Sequence, residues 1–225
     1  MKNLKCTACG LVNFSSAGEC RRCGVALAEC AGEGAEEAPR RRSLKRRALA
    51  GVVLSLFALI GFYVSLLETS EGANLDQRVL VRRAVDLIED SGLTRDAFLL
   101  RRLANYRTTD NWWNRYVGHG EAYAATNFPF EIITLYPQFF DTATDDTERA
   151  VILLHEARHL AGGGEEEACA SVWRDKWRLG WTKERYGGTR VWQNVSEYTR
   201  RHAPQLFTCG QDGAQDCADI AEAKK

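Results

Sequence analysis

Twenty uncharged residues in a row, ALAGVVLSLFALIGFYVSLL from Ala48 to Leu67, divide the chain into two parts of different pattern. At about 1.5 Å per residue a helix of that length spans roughly 30 Å, the thickness of a bilayer's hydrocarbon core. The run is apolar on every face, whereas a helix of this length packed in a soluble protein keeps a polar stripe. It starts far from Met1 and exceeds the apolar region of a signal peptide. A transmembrane helix over residues 48–67 is therefore expected. Beyond it the pattern turns periodic. Leu75, Val79, Val85 and Ile88 recur at helical spacing, with Asn74 placed to cap the helix and Ser91-Gly92 to stop it. A second helix is predicted from Thr94 to about Tyr106. Residues 111–128, NWWNRYVGHGEAYAATNF, read as irregular and aromatic, and β-branched and aromatic residues predict a strand over Glu131–Tyr136. Asp145 and Glu148 stand three apart at the head of an apolar run that ends in Gly162-Gly163-Gly164, the pattern of a capped helix with a glycine stop. Helices follow from Glu165 to about Leu179, with Ala168, Val172, Trp173 and Trp177 on one side, and over Val191–His202. The sum is an α+β domain, mostly helical, with a small sheet whose strand runs just ahead of the capped helix.

Charge sharpens the division. The whole chain is neutral, with 30 Lys+Arg and 30 Asp+Glu, so no global field calls for a nucleic-acid partner. Residues 1–47, however, hold ten Lys/Arg against five Asp/Glu. Arg40, Arg41, Arg42, Lys45, Arg46 and Arg47 precede the apolar run, whereas Glu68, Glu71 and Asp76 follow it. Basic flanks remain in the cytoplasm, which predicts a single-pass protein with its N-terminus inside and residues 68–225 outside. The basic run is read as that topology signal rather than as a nucleic-acid patch. Residues 68–225 suffice for one domain with its own core, and residues 31–47 read as a basic linker.

Cysteine usage follows the same boundary. Cys6, Cys9, Cys20, Cys23 and Cys30 precede the apolar run. The first four read CTACG…CRRCG, two C-x2-C-G knuckles ten residues apart, which let four thiolates converge on one Zn²⁺. Residues 1–30 are therefore expected to form a zinc ribbon that folds on its metal, its thiols kept free by a reducing cytoplasm. The spacing C-x2-C-x3-N-x6-C-x2-C, with Asn13, resembles the zinc finger of Ran-binding proteins. That family carries tryptophan two residues before the first cysteine, where this chain has Leu4, so the ribbon is read as a general protein-contact or regulatory module. Of the later cysteines, Cys209 and Cys217 bracket GQDGAQD, a loop that a disulfide can close, and Cys169 can be a small buried residue.

The densest chemistry lies in HEARHLAGGGEEE, His155 to Glu167. His155 and His159 are four apart and share one helix face, so both imidazoles can meet one cation. Glu156, beside the first, can reach a water activated there without being a ligand. Gly162-Gly163-Gly164 permit a reversal that delivers Glu165 as third ligand, with Glu166 and Glu167 as fallbacks. The stretch HExxHxxGxxE resembles the metzincin pattern, with glutamate in the third position, although the methionine turn of metzincins has no counterpart because Met1 is the only methionine. Glu165-Glu166-Glu167-Ala168 is similar also to the glutamate helix of gluzincins. Either resemblance implies a zincin fold, a catalytic zinc on His155, His159 and Glu165, and Glu156 as general base. Other candidates read as ordinary: His119 as a loop residue, His202 as a helix cap, Tyr123, Tyr136 and Tyr186 as packing residues, and the tryptophans as core and cleft walls.

The sequence thus points to a membrane-anchored zinc metallopeptidase acting on peptide or protein substrates, embedded in a lipid bilayer, with a cytoplasmic protein partner for the ribbon. Two alternatives stand beside it. One is a tethered sensor or scaffold with structural zinc; the other is a zinc hydrolase acting on cell-wall amides.

Overall fold

The structure is a computed structural model that describes residues 3–14, 16–27, 44–118, 122–210 and 215–223. Most of the linker expected over 31–47, together with Cys30 and His119, lies outside them. By their contacts the residues group into two units, Met1–Ser55 and Leu56–Lys225, and the division falls inside helix α1, Leu44–Glu68.

In the first unit, strands β1 (Leu4–Lys5) and β2 (Val12–Asn13) pair antiparallel, with Leu4 opposite Asn13. Cys6, Cys20 and Leu27 are buried, with Leu4 and Leu11 packed against them. A core this small cannot hold a chain folded without a further crosslink. Helix α1 is long and apolar enough to cross a membrane, and from Leu44 to Gly61 all of its residues are exposed.

The second unit is mostly helical with one small sheet. Helices α2 (Leu75–Asp90) and α3 (Thr94–Arg102) lead into β3 (Asn105–Arg107), and α4 (Trp112–Val117) precedes β4 (Ala124–Asn127) and β5 (Ile132–Leu135). Then come α5 (Pro137–Asp141), α6 (Asp146–Leu160), α7 (Glu165–Asp175), α8 (Lys183–Tyr186), α9 (Arg190–His202), a 3-10 turn over Pro204–Phe207, and α10 (Cys217–Glu222). The sheet order is β3-β5-β4, with β3 parallel and β4 antiparallel to β5; Ile133 lies opposite both Tyr106 and Thr126.

Helix α6 is the axis of the core. Every residue from Thr147 to Leu154 is buried, as are Glu156, Ala157 and Leu160, and α2, α3, α7 and β4 pack around it. Its N-cap is Asp145, whose side chain accepts the Glu148 N–H. The buried Glu148 carboxyl takes hydrogen bonds from Thr144 N and Oγ1 and from Thr189 Oγ1, so both of its oxygens have partners. Helix α2 starts in a complete capping box between Asn74 and Gln77.

Several boundaries depart from the sequence pattern. The helix expected to run to about Tyr106 stops at Arg102, because the Asn105 N–H bonds to Glu131 O and residues 105–107 pair with β5. The stretch expected to be irregular holds α4, capped by Asn111, and the edge strand β4. The strand is shorter than Glu131–Tyr136: Glu131 adopts φ 49°, and Tyr136 is already the N-cap of α5, where Pro137 takes the first turn. Helix α7 ends at Asp175, not near Leu179, because the Trp181 N–H turns back to Lys176 O.

Candidate metal centres

The four ribbon cysteines bring their sulfurs within 4.8 Å of one another. Cys6 and Cys23 are 3.5 Å apart, and Cys9 and Cys20 are 3.4 Å apart. Two thiolates about 2.3 Å from a tetrahedral zinc stand about 3.8 Å apart, so the group is the right size to close on one ion. The knuckles repeat each other. Gly10 N bonds to Cys6 O and Gly24 N to Cys20 O, and both glycines take φ 74°. Backbone N–H groups of Arg22 and Cys23 reach Cys20 and, against its burial, hold its thiol down at about 6, whereas at Cys23 the Val25 N–H is outweighed by the Cys6 sulfur and burial, which push it up to about 12, so the cluster gives up its first proton at Cys20. Asn13 braces the second knuckle, accepting Arg21 N at 3.2 Å and donating to Leu11 O at 3.0 Å. The cluster is a possible metal site of zinc type.

The second group comprises His155, His159 and Glu165, again with one donor atom from each within 4.8 Å of the others. The two Nε2 atoms are 3.0 Å apart, and the Glu165 oxygens lie 3.3 Å from His155 and 3.5 Å from His159. Ligands about 2.0–2.1 Å from a tetrahedral zinc stand about 3.3 Å apart, so these donors also fit one ion. Local backbone geometry creates the convergence. At the end of α6, Gly162 N bonds to His159 O and Gly163 N to Arg158 O, a Schellman closure with Gly162 at φ 85°. The chain reverses there, Gly164 caps α7, and Glu165 becomes the first residue of the new helix.

The same turn orients an imidazole. His159 Nδ1 lies 2.9 Å from Gly163 O, and since a carbonyl only accepts, Nδ1 carries the proton and Nε2 is turned to the other donors. Burial pulls the His159 pKa down, but bonds to Glu165 and Gly163 outweigh it and hold it at about 9. Hydrogen bonds from His155 and His159 keep the Glu165 carboxyl far below the usual carboxylate range. The neighbouring glutamates point elsewhere: Glu166 accepts from Gln205 Nε2 at 2.9 Å, and the Glu167 carboxylate sits against Gly163.

This group lines a cavity of about 510 Å³. Glu156, only 5% exposed, lines it too, and its Oε2 accepts from Thr126 Oγ1 of β4 at 2.7 Å. Residues 122–126 form another wall, and Tyr198 and Asn194 of α9 a third. Burial first, then the charge of Glu165, raises the Tyr198 phenol to about 12, so it remains a proton donor. Cys169, one turn after Glu165, is a buried free thiol of the lining, raised to about 12 by burial.

Among the tyrosines singled out from sequence, Tyr123 lines the cavity and accepts from Asn194 Nδ2. Tyr136 and Tyr186 are buried elsewhere, donating to Asp110 and Asp145. In the last turn of α9 the His202 ring lies 4.3 Å from that of Tyr198, tilted by 38° to it. Cys209 and Cys217 are joined as a disulfide. Thr126 and Tyr198 are site residues that the sequence did not reveal; each comes from an element remote from HEARH. Set against protein-family models, curated proteins and solved structures, the chain matches none of them.

Proposed function

We propose that the chain is a membrane-anchored zinc metallopeptidase of zincin type, with α1 crossing the bilayer, the ribbon in the cytoplasm and the α+β domain outside. The observation that carries the reading is the convergence of His155, His159 and Glu165 on the wall of a cavity that also holds Glu156. Among the described residues this donor group has three members, which leaves a coordination position for solvent, as a catalytic site requires and a structural site does not.

When bound, zinc supplies a Lewis acid that acidifies water and polarises the scissile carbonyl. The residues of the chain do the rest. Thr126 holds Oε2 of Glu156, leaving the other oxygen to take a proton from the attacking water. The hydroxide adds to the carbonyl carbon, Glu156 passes the proton to the amide nitrogen, and the C–N bond breaks. Strand β4 is an edge of the sheet beside this carboxylate, a template on which an extended peptide can pair. The basic residues ahead of Ala48 support the inward N-terminus, and the ribbon, outside the membrane reaction, is read as the contact for a cytoplasmic protein.

The test uses the full chain in detergent. Wild type should hydrolyse a peptide library and carry zinc beyond the ribbon's share, defined by His155→Ala. Glu156→Gln should retain that zinc and lose activity by about 10²–10⁴-fold. Full activity in Glu156→Gln, or no zinc lost in His155→Ala, would overturn the proposal. Release from cell-wall amides without peptide cleavage would move the substrate class and keep the centre.

A further inference from the structure

The last turns of the apolar run do not stand free. The Phe62 ring meets Trp112 at 5.3 Å, Phe130 at 5.2 Å and Trp113 at 6.0 Å. Trp112 Nε1 donates to Ser65 Oγ at 3.0 Å, and Leu66 is wholly buried. Helix α1 therefore enters the domain without a linker, held by α4 and by the turn between β4 and β5.

This attachment shortens the free span. The residues exposed along their full run are Ala48–Gly61, about 21 Å of helix, against roughly 30 Å of hydrocarbon. The apolar length that completes the crossing, Phe62–Leu67, is covered by the domain on one face, with Leu66 buried and Val64 left exposed. A bilayer that meets the whole apolar run must therefore also meet the side chains packed around its end.

Those side chains suit it. In α4, Trp113 is 39%, Tyr116 78% and Val117 55% exposed, and the Trp113 and Tyr116 rings touch at 5.8 Å. Phe128, 61% exposed, stands two residues before Phe130 on the β4–β5 turn. Tryptophan and tyrosine settle at the headgroup level, where one end of the ring is apolar and the other wet. Exposed Arg115, the only charged residue of α4, is compatible with headgroup phosphates.

We propose that α4 and the Phe128–Phe130 turn form a collar seated in the phospholipid headgroup region around the end of α1. The inference rests on α1 crossing a bilayer, and it is independent of which side the domain occupies. Phe128 also lines the cavity, beside Gly162, so the collar brings the cavity mouth next to the lipid surface.

Brominated lipids test it with the full chain in phosphatidylcholine vesicles. Bromines placed shallow in the acyl chains should quench tryptophan fluorescence, and Trp113→Phe, which keeps an aromatic ring, should remove part of that quenching, the rest coming from Trp112 beside it. Trp173, Trp181 and Trp192 are buried in the core and, with half-buried Trp177, give the background measured in the Trp112→Phe/Trp113→Phe double variant. Equal emission in brominated and plain vesicles overturns the collar. If aqueous acrylamide then quenches Trp113, the face lies in water; if neither quencher reaches it, a second copy or another protein covers it. Alkaline carbonate extraction separates the two failures: a chain stripped from the vesicles has no spanning helix, whereas one that resists extraction yet shows no lipid quenching has the helix without the collar.

Discussion

Alanine at Gly163 should damage the second candidate metal centre although Gly163 offers it no ligand. An added Cβ would lie 3.0 Å from the Arg158 carbonyl oxygen and 3.1 Å from a Glu167 oxygen. The glutamate can swing away, but Arg158 O belongs to the last turn of α6 and also accepts the Gly163 N–H at 2.9 Å. The turn must open, loosening that bond and the one from His159 Nδ1 to Gly163 O. With zinc bound His159 is neutral, and two neutral hydrogen bonds at about 1 kcal/mol each give about 2 kcal/mol and a melting temperature lowered by about 4–8 °C in a domain of this size; without zinc the imidazolium makes the loss larger. Loss of the partner that orients a ligand histidine should weaken zinc binding about 10–100-fold. The flanking glycines are the controls. At Gly164 a Cβ meets nothing within 4 Å and φ is −83°, so alanine should leave zinc binding intact and cost nothing in stability. At Gly162 the Cβ meets only the Phe128 ring at 3.7 Å, but φ is 85°, so alanine should cost about 1–2 kcal/mol in strain while the orienting carbonyl stays in place. The assay is competition with a chromophoric chelator, paired with thermal melts with and without zinc. If Gly163→Ala binds zinc as tightly as Gly164→Ala, the glycine carbonyl does not orient His159.

Glu165→Gln should weaken zinc binding in the same competition assay, whereas Glu166→Gln and Glu167→Gln should leave it near wild type, since their carboxylates face Gln205 and Gly163; equal losses across the three would reject Glu165 as ligand. Because the proton on His159 is held up to about 9, zinc must displace it below that pH, so apparent affinity should rise about tenfold per pH unit from 6.5 towards 9 and then level; a flat profile contradicts this. Lys176 is 1% exposed, 2.5 Å from Asp216 and 2.6 Å from Asp219, with Nζ 4.4 Å from the Trp173 ring centroid. Lys176→Met should cost about 3 kcal/mol in chemical denaturation, since it leaves Asp216 without its cation, and adding Asp216→Asn should recover part of the loss; a loss below 1 kcal/mol would mean that water already screens the pair.

What could be read from sequence was local. Asn74 and Asp145 cap where a capping side chain stands before a periodic run, and Gly162 reverses the chain because a positive φ is written into its residue type. The histidines and Glu165 are close in sequence, so helix geometry and one turn suffice to bring them together. What could not be read depends on distant pairing. Tyr106 continues the apolar spacing of α3, and residues 105–107 become a strand only because β5 offers backbone partners. Residues 124–127 carry no alternation and are extended for the same reason. Thr126 and Tyr198 reach the cavity from elements 30 or more residues away from Glu156 on either side, a relation no local pattern records.

The buried Leu66 has a mechanical meaning. A protease tethered by a loose stalk can tilt and sample bonds over a range of heights, but a domain built directly on its shaft keeps one height and one azimuth. Each residue inserted between Leu56 and Gly61 would turn the domain by about 100° and lift it by about 1.5 Å. On the proposed reading, with α1 across the bilayer and the domain a peptidase, the anchor would work as a ruler as well as a tether, selecting bonds by their distance from the membrane before any side-chain preference of the cleft is consulted.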